Sequence, residues 1–423
     1  MDEADKNPAR LRRDWLWSLI AEVLARLAAI IVTAAYFTYL GKEAAGQFVV
    51  TYSYVMTCWL LVDIGLGLYG ARQVALLGAP VKMLQLEITA VRLACSLFAS
   101  VLVYVLLRQI VGTSVPVALS FGLFLILRGF SLDWLYRGTS RFKTLAVINV
   151  VAGIGQLAAL PLVTPENWQI TRGIPFTVWA AIISSYGWRR SGVSPLGVLR
   201  SVNRRSMAHL KRSFSFSVTN GVSTLFQQAP VLALSLMYAP AQLAGFAFMH
   251  RLALSSIMLF SSLGAAIYPR LVRQSARGLD QATAATLRAT VLIGLVALVP
   301  AAGVLLGYAI PYLDITYFPG SNWTATLALA VFLVLRSMRV APMRLVLAAN
   351  LHHKAVLTTT TALVVFSGVQ AVMMLMGLAT IASTALLFVG VEAGVLAWLC
   401  LITVRSARSV PPVDGTPPPT GPL

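Results

Sequence analysis

Long apolar segments separated by short polar connections repeat along almost the whole chain. A helix needs about 20 mostly apolar residues to cross the hydrocarbon core of a bilayer, so this repeated pattern is typical of polytopic membrane proteins. Only 11% of the 423 residues are charged and 58% are hydrophobic, whereas a soluble domain carries about a quarter charged residues. The sequence therefore predicts an all-α membrane protein with almost nothing outside the bilayer.

Twelve apolar segments are candidates for membrane-spanning helices, and they form two sets of six. The first set covers 15–40, 45–70, 88–111, 115–136, 143–164 and 173–188. The second set covers 213–238, 244–270, 284–309, 323–348, 355–377 and 380–404. The two sets resemble each other faintly, since Tyr39, Gly46 and Gly65 align at a constant offset with Tyr238, Gly245 and Gly264. Because six is even, the repeats would share one orientation, related by a pseudo-two-fold axis along the membrane normal, with a cavity between them.

The distribution of basic residues predicts the orientation and the domain organisation. One set of alternate loops holds most of the loop arginines and lysines, and the other set holds only Lys42, Arg108 and Arg172. By the positive-inside rule, the basic loops and both termini are cytoplasmic, and the net charge of +19 does not indicate nucleic acid. The predicted domains are an N-terminal lobe (1–188), a basic cytoplasmic linker (189–212), a C-terminal lobe (213–404) and a disordered tail (405–423).

Arginines inside the predicted spans are the main functional signal, because a charge at the bilayer centre costs about 2.5–3.5 kcal/mol on insertion scales. Three further arginines, Arg92, Arg288 and Arg344, lie near predicted cytoplasmic ends, where snorkelling would explain them. The predicted interior is cationic and suits an anion, and the planar guanidinium is well matched to phosphate. The candidate substrate-binding residues are Arg26, Arg128, Arg251, Arg336 and Arg339.

Acidic residues in the spans are fewer and have two alternative interpretations. Glu22, Asp63 and Glu392 are candidates for coupling to a proton or sodium gradient. Glu22 also lies one helical turn before Arg26 and could pair with it, and Asp63 could instead cap or hydrogen-bond a neighbouring helix. Any of the arginines could likewise be paired internally and lock two helices together, although Arg336 and Arg339 have no acid nearby in sequence.

Catalytic and metal-binding motifs are absent from the sequence. No nucleophile elbow, zinc-protease helix motif or phosphate-binding loop occurs, and the three cysteines and four histidines lack metal-ligand spacing. The sequence therefore predicts a protein that is not an enzyme and that needs no cofactor or metal.

Five short stretches, taken in order, match motifs of one known family. They are YLGKEAAGQF (39–48), LVDIGL (61–66), DWLYRG (133–138), AGF (244–246) and YPRL (268–271). These stretches resemble the turn between the first two helices, the ends of helices two and four, and the corresponding turn and exit in the second half of Wzx-type flippases. Those proteins belong to the multidrug/oligosaccharidyl-lipid/polysaccharide exporter superfamily, and they transport O-antigen and other polysaccharide units.

This resemblance implies a fold, a substrate and a location. The implied fold is the MATE-like exporter fold of two six-helix lobes, and the implied location is the bacterial cytoplasmic (inner) membrane. The implied substrate is a polyprenyl-diphosphate-linked oligosaccharide, moved from the inner to the outer leaflet by alternating access for O-antigen or exopolysaccharide biosynthesis. Membrane lipid and a polysaccharide polymerase are the implied partners.

Three alternatives remain at this point. A drug exporter of the same superfamily would share the fold, but such proteins usually handle cationic compounds, for which arginines have the wrong sign. A peptidoglycan-precursor flippase would also use cavity arginines, and its relatives usually carry extra helices. A membrane glycosyltransferase or polymerase partner would ordinarily need larger outer loops than this sequence has.

Overall fold

Helices form the regular structure of the chain. The computed structural model describes residues 8–77, 82–139, 141–191, 197–198, 201, 204–277, 279–309, 323–349 and 351–409, and this part contains no β-strand. In the first half the helices are α1 (Pro8–Asp63), α2 (Leu66–Leu77), α3 (Lys82–Leu106), α4 (Val115–Gly129), α5 (Asp133–Gly138), α6 (Phe142–Ala158), α7 (Trp168–Thr171) and α8 (Ile174–Ser191). In the second half they are α9 (Arg204–Ser235), α10 (Pro240–Arg277), α11 (Leu279–Ala309), α12 (Trp323–Met338), α13 (Val340–Ala348), α14 (His352–Leu375) and α15 (Ile381–Ser409).

All twelve predicted spans coincide with helices, which confirms the predicted fold class. Within the described ranges, eight helical stretches are long and apolar enough to cross a membrane, and one of them, Leu27–Asp63, contains parts of two predicted spans. Large apolar side chains such as Leu119, Val299 and Val364 are exposed on the outside of the bundle. In a polytopic membrane protein these side chains face lipid rather than water.

Three of the predicted spans are interrupted. The span 45–70 is divided at Ile64 and Gly65, which both have positive φ, and the Asp63 carboxylate accepts a hydrogen bond from the Gly67 amide at 3.2 Å where α2 begins. The span 115–136 is divided between α4 and α5, and the span 323–348 is divided at Arg339. Periodicity did not indicate these breaks, and each one lies beside a charged residue.

Two predicted domain boundaries differ from the helix ends. Helix α9 begins at Arg204, inside the predicted linker, and α15 continues to Ser409, inside the predicted tail. Residues 410–423 lie outside the described residues. The division into two lobes at these boundaries stays a prediction.

Helices α1 and α10 form the largest contact between the two halves. Glycine at position 41 breaks α1 into two segments, because its φ of 82° lies in the left-handed region that favours glycine. The second segment runs beside α10, and buried side chains from both halves, including Phe48 and Phe246, belong to one continuous apolar core. This contact between α1 and α10 borders the candidate site.

Candidate functional site

A cavity of about 540 Å³ lies between the two halves of the protein. Helices α1 to α6 and α8 line it from the first half, and α9 and α10 line it from the second. Two of the predicted substrate-binding arginines, Arg128 and Arg251, line this cavity, and so does the predicted coupling residue Asp63. The structure therefore brings together three of the eight candidate residues.

Arg128, near the end of α4, contacts two indole rings. Its Cζ atom lies 4.1 Å from the ring centroid of Trp59 on α1 and 4.9 Å from that of Trp179 on α8. Its Nη2 atom lies 3.8 Å from Oδ2 of Asp133. A desolvated cation–π contact contributes about 2 kcal/mol, so the guanidinium is fixed at the cavity wall by aromatic contacts from two helices.

Arg92 is a cavity residue that the sequence analysis assigned to snorkelling, and that prediction is wrong. Its side chain is buried, its Nε lies 3.4 Å from Oδ1 of Asp63, and its Nη1 lies 3.9 Å from Oδ1 of Asp133. Nη1 also donates a 2.6 Å hydrogen bond to the carbonyl oxygen of Ser131. The break between α4 and α5 frees that carbonyl from the helix, and the guanidinium satisfies it.

Asp63 has a structural role in this arrangement. It caps α2 and pairs with Arg92, as described above, which agrees with the alternative that it stabilises neighbouring helices. Its role in ion or proton coupling stays a prediction.

Arg251 reaches from α10 in the second half onto aromatic rings of the first half. Its Cζ atom lies 3.8 Å from the ring centroid of Tyr52, and 5.5 and 5.8 Å from those of Phe48 and Phe176. Tyr52 and Phe48 belong to α1, and Phe176 belongs to α8. A cationic side chain of one half is therefore positioned by the other half.

The cavity is cationic and also carries neutral hydrogen-bonding groups. Among the described lining residues, four arginines face two aspartates, which gives a formal surplus of two positive charges. The charged lining residues are Arg92, Arg128, Arg137, Arg251, Asp63 and Asp133. Neutral polar groups come from both halves: Asn149, Gln156, Gln227, Gln228 and His250. Sequence reasoning missed these and the aromatic residues, because a single amide or ring within an apolar span carries little signal.

Arg336, Arg339 and Glu392 form a separate buried cluster, and their predicted roles in substrate binding and ion coupling stay predictions. Nη1 of Arg336 and Nη1 of Arg339 each lie 3.2 Å from a carboxylate oxygen of Glu392. Arg336 also donates to the Ser223 hydroxyl at 2.7 Å, and Arg339 donates to the Thr359 hydroxyl at 3.0 Å. Neither arginine is among the residues that line the cavity.

The Glu392 cluster acts as a helix clamp in the second half. It joins α9, α12, α14 and α15 through one carboxylate. The interpretation that fits is the internal pairing that the sequence analysis kept as an alternative. A carboxylate shared by two guanidinium groups is also poorly suited to exchanging a proton or a sodium ion.

Two predicted site residues cannot be placed at the side-chain level. Glu22 and Arg26 lie on α1, but their side chains lie outside the described residues. In the part of the chain that the structure describes, no group of three or more His, Cys, Asp and Glu side chains could hold a metal ion.

Comparison with known proteins supports the fold. No family model and no curated protein matches the chain. An inward-facing multidrug resistance MATE family transporter of the MOP superfamily matches with a TM-score of 0.70 and 16% identity, over 92% of this chain and 95% of that chain. An outward-facing transporter of the same description matches with a TM-score of 0.63 and 13% identity, over 95% and 96%.

A third solved structure is a MOP superfamily transporter from Pyrococcus furiosus, whose binding pocket is described as having reverse polarity that suggests a different function. It matches with a TM-score of 0.53 and 15% identity, over 95% of this chain and 96% of that chain. At these identities the likeness is one of fold. The chain is thus a multi-pass membrane protein with the fold of MATE family transporters of the MOP superfamily.

Proposed function

We propose that this protein is a flippase that moves polyprenyl-diphosphate-linked oligosaccharides from the inner to the outer leaflet by alternating access. The observation that carries the proposal is the surplus of positive charge in a cavity between the two halves, to which Arg128 and Arg251 contribute. A diphosphate is the anionic part of such a substrate. Guanidinium groups bind phosphate oxygens with charge-assisted hydrogen bonds.

The remaining lining suits the other parts of the substrate. Amide side chains such as Gln156, Gln227 and Gln228 can hydrogen-bond sugar hydroxyls, and the indole of Trp179 offers an apolar surface for a sugar ring. The polyprenyl tail would stay in the bilayer and reach the cavity through a gap between helices. In this proposal a polysaccharide polymerase uses the delivered oligosaccharide.

The fold supports a mechanism in which the two halves rock about the cavity. Transporters of this fold have been solved in inward-facing and outward-facing conformations. In this protein the two halves would move relative to each other along the α1–α10 contact. The substrate would bind from one side and leave from the other. Coupling of this movement to a proton or sodium gradient is part of the proposal, and Asp63 is the predicted coupling residue that lines the cavity.

Drug export is the main competing function, because multidrug transporters share this fold. The charge of the cavity favours an anion over the cationic compounds that such exporters usually carry. The Pyrococcus furiosus protein is a precedent for a pocket of different polarity on the same fold. A peptidoglycan-precursor flippase would also bind a diphosphate, so the identity of the lipid that accumulates distinguishes it.

Neutralising Arg128 and Arg251 together is expected to lower transport by at least about 10-fold, because each charge-assisted hydrogen bond contributes about 1.5–3 kcal/mol. The measurement is the leaflet distribution of lipid-linked oligosaccharides in the native host after deletion of the gene and complementation with Arg128→Gln/Arg251→Gln. Complete units should accumulate on the cytoplasmic leaflet with the double variant and disappear with the wild type.

The matched control is Arg288→Gln, since Arg288 is exposed on α11 and is not a cavity residue. It should complement as the wild type does. Full complementation by a correctly folded Arg128→Gln/Arg251→Gln protein would exclude the proposed anion site. Accumulation of a peptidoglycan precursor instead of a polysaccharide unit would favour the peptidoglycan function.

A further inference from the structure

One close contact holds the two halves together at the end of the bundle where α1 is broken. A Cβ atom added to Gly46 on α1 would lie 2.5 Å from the carbonyl carbon of Pro240 on α10 and closer still to its oxygen. The backbone φ of Gly46 is not in the left-handed region. Glycine is therefore required here for space between the halves and not for its backbone conformation.

Two further side-chain contacts join α1 to the second half. The hydroxyl groups of Tyr54 and Ser235 lie 3.2 Å apart, and the ring centroids of Phe37 and Phe248 lie 5.0 Å apart. Each pair joins a residue of α1 to a residue of the second half. The structure thus represents the state in which the halves are in contact at this end.

The two partners of the Arg251 contact lie on the same two helices as Gly46 and Pro240. At a rise of about 1.5 Å per residue, Tyr52 lies about 9 Å further along α1 than Gly46, and Arg251 lies about 16 Å further along α10 than Pro240. A change in the spacing of α1 and α10 at Gly46 therefore changes the distance between the Arg251 guanidinium and the Tyr52 ring.

We infer that the anion site is assembled across the two halves, so that its affinity for a diphosphate is high only while the Gly46 contact is closed. This inference rests on the proposed function. Tyr52 is a positioning residue: its ring holds Arg251 at the cavity that arginines of the first half also line. When the halves separate at Gly46, Arg251 moves away with α10 and the site is divided.

The consequence for transport is a difference in affinity between the two conformations. A ligand shifts a conformational equilibrium only by its differential affinity for the two states, and the coupling is reciprocal. A diphosphate would stabilise the state closed at Gly46, and opening at Gly46 would weaken its binding. The substrate would then be released on the side that opens, because opening separates Arg251 from the arginines of the first half.

The test measures binding of inorganic pyrophosphate to the purified full-length protein in lipid nanodiscs. We expect Gly46→Ala to weaken binding by about 5–150-fold, the usual range of a coupling between two sites, because its methyl group holds α1 and α10 apart. The matched control is Gly368→Ala, since a Cβ added at Gly368 meets nothing within 4 Å. Gly368→Ala should bind as the wild type does.

A distance measurement tests independently whether the separation of α1 and α10 changes. Spin labels placed at the exposed positions Tyr39 and Leu236, in a background without the native cysteines, should show a longer mean separation in Gly46→Ala than in Gly368→Ala. A wild-type separation, or a wild-type affinity, in folded Gly46→Ala would overturn the inference.

Variants of Tyr52 keep the test decisive if Gly46→Ala does not fold. Tyr52→Phe retains the ring beneath Arg251 and should bind pyrophosphate as the wild type does, whereas Tyr52→Leu should bind more weakly. Equal affinity of the two variants would also overturn the inference. Failure of the proposed function looks different: Arg128→Gln/Arg251→Gln would then bind pyrophosphate as the wild type does.

Discussion

The substitution Glu392→Gln is expected to destabilise the folded protein by about 3–5 kcal/mol, the usual cost of removing one partner of a buried ion pair. The Glu392 side chain is fully buried, and its carboxylate lies between the guanidinium groups of Arg336 and Arg339. A neutral amide leaves two buried positive charges close together. Like charges in a low-dielectric interior repel strongly, so α12 and α15 should lose their contact.

Thermal unfolding in detergent, followed by fluorescence-detected gel filtration, measures this effect. Glu166→Gln is the matched control, because Glu166 is exposed and the same change should alter stability by less than about 0.5 kcal/mol. Adding Arg336→Gln to Glu392→Gln should recover part of the loss by removing one of the two like charges. An unfolding temperature unchanged by Glu392→Gln would contradict the clamp.

The second large effect is expected from Arg92→Gln, which should also destabilise by about 3–5 kcal/mol. Arg92 is 2% exposed and interacts with Asp63, Asp133 and the carbonyl oxygen of Ser131. Glutamine cannot reach all three groups and carries no charge. Asp63, Asp133 and the Ser131 carbonyl oxygen would then each lose this charged partner.

Arg288→Gln is again the control, because the sequence analysis treated Arg92 and Arg288 alike, as snorkelling residues near helix ends. The structure separates them, since Arg288 is exposed. Chemical unfolding of both variants should therefore show a large loss for Arg92→Gln and almost none for Arg288→Gln. Equal stabilities would mean that Arg92 contributes no more than a surface charge.

The helical fold class and the positions of the apolar segments could be predicted from the sequence, because membrane-spanning helices depend on a local property. A run of about 20 apolar residues satisfies its own backbone hydrogen bonds whatever its neighbours are. The breaks beside Asp63, Asp133 and Arg339 were not predicted. At two of them a side chain compensates the interrupted backbone: the Asp63 carboxylate accepts from the Gly67 amide, and Arg92, from another helix, donates to the Ser131 carbonyl oxygen.

Whether an arginine lies at the cavity or in the Glu392 cluster depends on which side chains pack against it. Those side chains come from distant parts of the sequence, so a local sequence pattern does not reveal them. Arg128 and Arg251 lie at the cavity as predicted, and the rings that hold them come from α1 and α8. Arg336 and Arg339 were assigned to the same site because no acid is near them in sequence. Their carboxylate, Glu392, comes from a helix more than fifty residues later, and only the packing of α12 against α15 brings it there.

The order of residues in the Glu392 clamp also has a consequence for biosynthesis. Glu392 follows Arg339 by 53 residues, so at about 5–20 residues per second the ribosome makes the two arginines about 3–10 s before their carboxylate. During that time Arg336 on α12 and Arg339 directly after α12 lack their carboxylate, and an uncompensated charge costs about 2.5–3.5 kcal/mol in the bilayer. In the first half Asp63 is made before Arg92, and Asp133 is made only five residues after Arg128. The second half can therefore complete this charge cluster only after α15 has been synthesised.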